Sequence, residues 1–163
     1  MKLPSLHIPD KLKAGLLFAA RILAGALFFY SGFSKLIQPV EYFEVAIGQY
    51  TVVPEAAVHY VASVIPWIEM TAGTFVFLGY MLEGAAGALG VLTAMFQIIL
   101  GQALVRRLPM DECGCFGGGF VHLTLYQSFV LDTFLVLIFI QIATAERNIL
   151  TLDRWLMRDS RDS

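Results

Sequence analysis

The chain has 163 residues, a length that suits one domain over 1–163. At 58% hydrophobic with a mean hydropathy of +0.72, it is too apolar for an ordinary soluble domain. Its net charge of −2 is small, and its basic residues lie near the ends of apolar runs and form no patch, which excludes a nucleic-acid-binding surface.

Four apolar runs follow one another, at about 14–36, 58–81, 84–105 and 124–145, with a polar tail over 146–163. Each exceeds the roughly 20 residues that cross ~30 Å of hydrocarbon. Segments in lipid must satisfy their own backbone groups, so the runs are expected to be helices. The expected fold is all-α, an integral membrane four-helix bundle.

The first run follows Lys11 and Lys13 and contains Ala24-Gly25-Ala26, a conceivable signal-peptide cleavage site. The run continues to Leu36, which favours its retention as a span. Between the first and second runs, Pro39–Ile47 mixes apolar and acidic residues at helical spacing, as a short helix at the membrane interface would. Pro66 within the second run either kinks that helix or starts it. The third run opens on Gly84-Ala85-Ala86-Gly87-Ala88, a small-residue face that allows close helix approach. Before the fourth run comes Asp111-Glu112-Cys113-Gly114-Cys115-Phe116-Gly117, which holds the only two cysteines.

Four spans put both termini on one side. The tails carry Lys2, Lys11, Lys13, Arg147, Arg154, Arg158 and Arg161, against Lys35, Arg106 and Arg107 in the opposite loops. That bias predicts cytoplasmic termini in the inner (plasma) membrane. The Cys113/Cys115 loop then faces the periplasm or cell exterior, where disulfides persist.

Cysteines at i and i+2 can bring their Cα atoms within the ~4.4–6.8 Å that a disulfide needs. Such a ring is tight, and strained, exposed disulfides behave as oxidants. Gly114 accepts unusual backbone angles. Asp111 and Glu112 disfavour a thiolate, whereas Arg106 and Arg107 favour it. A purely structural bridge would stabilise little, because the closed loop is so small. A metal site would want two further ligands; His59 and His122 match no zinc spacing, so no metal is expected.

Arg21, Glu69 and Asp132 fall inside the spans, where ionisable groups face the bundle interior or water. At ~1.5 Å per residue, Arg21 lies ~10 Å and Glu69 ~14 Å from the inner boundary. These depths predict an Arg21–Glu69 pair, either a structural clasp or part of a quinone-headgroup or proton site. Were Pro66 the helix start, Glu69 would move towards Lys35 instead. Asp132 lies ~12 Å below the outer boundary, a candidate proton acceptor or a hydrogen-bonded core residue.

Tyr30-Ser31-Gly32-Phe33-Ser34-Lys35-Leu36 followed by Pro39 resembles the end of the first helix in DoxX-like membrane proteins. Pro66-Trp67-Ile68-Glu69, with Gly73 and Gly79 after it, looks like their second helix. Cys113-Gly114-Cys115-Phe116-Gly117 is similar to the loop motif of the MauE (methylamine-utilisation) branch. The resemblance covers about Arg21 to Thr144. It implies a four-helix membrane bundle associated with redox maturation of exported proteins, beside a thioredoxin-like partner, with quinone as the electron acceptor in DoxX-like relatives.

The expected function is therefore a membrane thiol–disulfide redox protein, a reading that makes it an oxidoreductase. Cys113 and Cys115 exchange disulfides with an exported redox protein, and electrons pass to membrane quinone. Arg21, Glu69 and Asp132 are the candidate quinone-binding residues. The alternative is a non-enzymatic accessory subunit or assembly factor of a larger membrane redox complex, with structural cysteines.

Overall fold

The structure is a computed structural model, and it describes residues 10–50, 52–106 and 123–144. These form five helices and no strand: α1 (Asp10–Leu36), α2 (Val40–Gln49), α3 (Glu55–Leu78), α4 (Leu82–Arg106) and α5 (Leu125–Thr144). Four are long and apolar enough to cross a membrane, over Gly15–Leu36, Glu55–Leu78, Leu82–Arg106 and Leu125–Thr144. The chain is a multi-pass membrane protein of all-helical architecture. The fifth, α2, is the short helix expected over Pro39–Ile47. Its 10 residues give ~15 Å, too short to cross.

Helix ends follow local chemistry. Pro39 and Pro54 stand at the N-caps of α2 and α3, where a missing N–H costs nothing. Gly79 ends α3 in the left-handed region (φ 72°). There the Tyr80 N–H bonds Phe75 O at 3.0 Å and the Gly79 N–H lies 3.3 Å from Val76 O, a Schellman closure. The chain then turns into α4 within three residues. Pro66 lies inside α3, and the helix runs through it from Glu55.

The bundle consists of two tight helix pairs, α1 with α3 and α4 with α5, joined along α3–α4 and α1–α5. Glycines set the first pair. A Cβ on Gly32 would meet Met70 N and Pro66 O at 2.6 Å, and one on Gly25 would meet Phe77 N at 2.6 Å. No larger residue fits between these backbones. The second pair is joined by a hydrogen bond from Gln97 Nε2 to Thr133 Oγ1 at 2.8 Å.

The core joins both pairs: Ala24 and Phe28 of α1, Ala72 and Val76 of α3, Leu89 of α4 and Phe139 of α5 are buried together. Phe28 and Phe139 meet with ring centroids 5.6 Å apart. Leu23, Trp67, Val91, Ile98, Phe134 and Ile140 face outward. Ser31, Ser34, Lys35, Glu69, Thr93 and Ser128 face inward. This apolar exterior and polar interior suit lipid as the solvent. The small-residue face of α4 is divided: Ala85 and Ala86 are buried, whereas Gly84 and Gly87 meet nothing within 4 Å.

One end of the bundle gathers several connections. The C-terminus of α1 and the N-terminus of α3 bracket α2, which packs through Phe43 and Ile47 onto Ala62 of α3. The C-terminal part of α4 and the start of α5 meet there as well: Leu100, Ala103 and Leu125 are buried together, with Tyr50 packed against them. Residues 107–122, including Cys113 and Cys115, therefore connect helices at the same end as α2, although they lie outside the described residues.

Gly32→Leu is expected to lower bundle stability by at least about 1–3 kcal/mol, the usual overpacking cost. Gly87→Leu, placed in open space on the lipid-facing side, is expected to be near neutral. Thermal unfolding of both variants in one detergent measures the difference.

Candidate functional site

The interior of the α2 end is polar, and its centre is Lys35. Lys35 Nζ donates to both carboxylate oxygens of Glu69, at 2.8 and 2.7 Å. It also donates to Ser31 Oγ at 3.1 Å, which uses all three ammonium protons. Ser31 Oγ in turn donates to Glu69 Oε2 at 3.0 Å, and Ser34 Oγ to the Ser31 carbonyl at 2.9 Å. The two charged side chains are 0% and 2% exposed, so each ion is stabilised by the other and by these hydroxyls.

The sequence places these groups in register. Ser31 and Lys35 are one turn apart on α1 and so share a face. Lys35 occupies the last turn of α1, where the helix dipole favours a cation. Its ammonium also sits 4.8 Å from the Phe43 ring centroid and 5.7 Å from that of Phe96. These cation–π contacts add to its stabilisation away from water.

Two cavities adjoin this pair, and Phe96 lines both. The larger, of about 120 Å³, is apolar and partly open. It lies between α2, α3 and α4, lined by Phe43, Ala46, Tyr50, Ile65, Phe96 and Leu100 among others. Phe43 and Phe96 thus stand between this pocket and the Lys35 ammonium. The smaller cavity, of about 30 Å³, lies at the bundle centre. Ser31, Glu69, Thr93, Ser128 and Asp132 supply its polar lining.

A further polar contact lies outside the core. His59 Nδ1 on α3 is 2.6 Å from Glu44 Oε1 on α2, with the imidazole 67% exposed. It holds α2 to α3 at the rim.

The expected Arg21–Glu69 pair is not what the structure contains: Glu69 is held by Lys35. The contacts of Gly32 with Met70 and of Gly25 with Phe77 fix how far α1 slides along α3. In that register Arg21 lies level with the C-terminal end of α3, ~21 Å along α1 from Lys35. Arg21 is buried, with its guanidinium 4.9 Å from the Phe18 ring centroid. Counting depth from assumed boundaries misses this, because α3 begins at Glu55 and continues through Pro66. The alternative in which Glu69 approaches Lys35 has the right partner and the wrong helix start. Asp132 reaches the same cavity as Glu69. Cys113 and Cys115 fall outside the described residues. The sequence reading did not assign Ser31, Thr93, Ser128 or Phe96 to the site; the Ser31/Lys35 spacing of one helical turn was the signal available.

The pairing is testable by double-mutant cycles in thermal unfolding. Lys35→Met and Glu69→Leu singly are each expected to cost about 3–5 kcal/mol, because each leaves a buried charge unpaired. Together they are expected to restore most of that loss. Arg21→Met and Glu69→Leu are expected to be additive within about 0.5 kcal/mol, as distant sites are.

The family described as methylamine utilisation protein MauE matches this chain over residues 13–145. A curated relative, the methylamine utilization protein MauE of Paracoccus denitrificans, is 31% identical over 103 residues, covering 63% of this chain and 55% of that protein. The chain thus spans about half the length of the curated relative it matches. No solved structure matches it. The match spans every membrane-crossing helix and the Cys113/Cys115 segment, and the chain belongs to the MauE family.

Proposed function

We propose that this protein is a membrane thiol–disulfide redox protein that serves the maturation of exported proteins in a methylamine utilisation system. Its disulfide at Cys113/Cys115 oxidises a dithiol on a thioredoxin-like or other exported partner. The partner gains an S–S bond, and Cys113 and Cys115 are left as thiols. Re-forming their disulfide releases two electrons and two protons, which a membrane quinone accepts to become quinol.

The supporting observation is a juxtaposition. The cysteine segment connects α4 to α5, and the ends it joins are packed at Leu100, Ala103 and Leu125. Leu100 and Tyr50, which belong to that packing, also line the apolar pocket. A flat ring in that pocket would lie beside Phe43, Phe96 and Tyr50, which share the pocket with Leu100 of the α4–α5 packing. Phe43 and Phe96 stand between this pocket and the buried Lys35–Glu69 pair. Arg21 is remote from this pocket, so the quinone role expected for it passes to the pocket-lining residues, with Glu69 and Asp132 on the proton side. With cytoplasmic termini, the pocket and the cysteines face the exported side of the inner membrane.

The test traps thiols in intact membranes with a membrane-impermeant alkylating reagent, before and after addition of an oxidised quinone analogue. Labelling of Cys113 and Cys115 is expected beforehand and lost afterwards. Ala46→Phe, which fills the pocket, is expected to raise the quinone concentration needed by at least about tenfold, a loss of roughly 1.4 kcal/mol of binding. A wild-type disulfide indifferent to quinone, together with full function in the Cys113→Ser/Cys115→Ser variant, would instead identify a non-enzymatic accessory subunit.

A further inference from the structure

The apolar pocket is small for a quinone. Its volume is about 120 Å³. A dry cavity of roughly 150 Å³ accepts a bare benzene ring, and a substituted ring with a tail needs more room than that. Val52 and Met95 are the exposed members of the lining, so the open side of the pocket lies there. Met95 shares the outward stripe of α4 with Val91 and Ile98, one turn to either side, so this opening leads to the lipid. A tail has a way out, but the ring has to fit between the walls, and one wall must move to receive it.

Of the three helices that wall the pocket, α3 and α4 cross the membrane and are fixed in the bundle by its core. The third, α2, does not cross. Its Phe43, Ala46, Ile47 and Tyr50 follow one another at helical spacing, so a single face of α2 covers the pocket. The opposite face, with Tyr42 and Val45, is exposed. The segments that join α2 to α1 and to α3 end in Pro39 and Pro54. A proline keeps the residue before it out of helix, which breaks the chain on either side of α2 into separate rigid pieces.

Two kinds of contact hold α2 down. Phe43 and Ile47 pack with Ala62, and Phe43 lies over the Lys35 ammonium. At the rim, His59 Nδ1 on α3 lies 2.6 Å from Glu44 Oε1 on α2. Neither His59 nor Glu44 lines either cavity. The imidazole is 67% exposed, so breaking this contact costs little and water replaces it. It is a reversible tie between α2 and α3, placed on the outside of the wall that has to move.

We propose that α2 is a lid on the apolar pocket, tied shut by His59 and Glu44, which swings outward to admit a quinone ring from the lipid. The identity of the ligand rests on the reading of this pocket as a quinone site; the lid itself does not depend on the cysteines.

Double electron–electron resonance on the full-length chain in lipid nanodiscs tests this, in a Cys113→Ser/Cys115→Ser background. Spin labels at Val45→Cys on α2 and Leu23→Cys on α1, both exposed positions, report the lid against the bundle. One main distance is expected at rest, and a second on addition of a benzoquinone that carries an apolar chain. Glu44→Ala and His59→Ala are each expected to raise the ratio of the second population to the first roughly two- to fivefold without the benzoquinone, the range for an exposed polar pair. The double variant is expected to raise it no further than either single one. A distance distribution that neither variant changes overturns the proposal. Variants that shift the distribution, in a protein that the benzoquinone leaves unchanged, support the lid and overturn the quinone reading of the pocket.

Discussion

The buried Lys35–Glu69 pair is the constraint on which the rest of this bundle depends. Lipid gives two apolar helices little reason to prefer one register over another, because lipid tails are as apolar as leucine. An ammonium and a carboxylate at that depth must meet, because either one left alone is strongly destabilising. Their distance, with the Gly32 contacts one turn away, fixes how α1 lies against α3. That register then sets where α2 can fold back and which face of α3 is left for α4. Phe43 from α2 and Phe96 from α4 both complete their packing around the same ammonium. Helix register and the position of the two cavities thus follow from this interaction together with the glycine contacts.

The same pair organises the chemistry. On one side of it lies an apolar pocket walled by aromatic rings, and on the other a small polar cavity with a second acid. Phe96 lines both. Residues 107–122, which include Cys113 and Cys115, join α4 to α5 and lie outside the described residues. Each polar group has a cost in lipid, and their concentration at one end of the bundle is the strongest structural reason to place function there.

Much of the architecture was legible in the sequence, because length and hydropathy are direct consequences of the bilayer. All four spans, the short α2 and the family resemblance through Cys113-Gly114-Cys115 are legible in the residues themselves. Helix partnering could not. Arg21 and Glu69 have matching depths on paper, and only the backbone contacts of Gly25 and Gly32 show that the helices are offset. The sequence alone marks Lys35 as a loop charge, because it stands at the end of an apolar run, where a lysine ordinarily reaches for water. Here it turns back along its own helix to Ser31. Ser31, Thr93 and Ser128 are unremarkable in a sequence, since a hydroxyl in a membrane helix commonly bonds its own backbone, as Thr93 does. Their convergence on one cavity is a property of the packing. The match of the chain to the MauE family fixes the kind of membrane protein.

The most direct measurement of the central claim is the stoichiometry of quinol formed per cysteine pair. The full-length protein would be reduced, reconstituted in quinone-containing liposomes and followed without oxygen, by quinone absorbance and by counting free thiols. The account predicts one quinol for each Cys113/Cys115 pair oxidised, and none from the Cys113→Ser/Cys115→Ser variant. Thiols that stay reduced in the presence of quinone, or that are consumed with no quinol formed, would contradict it.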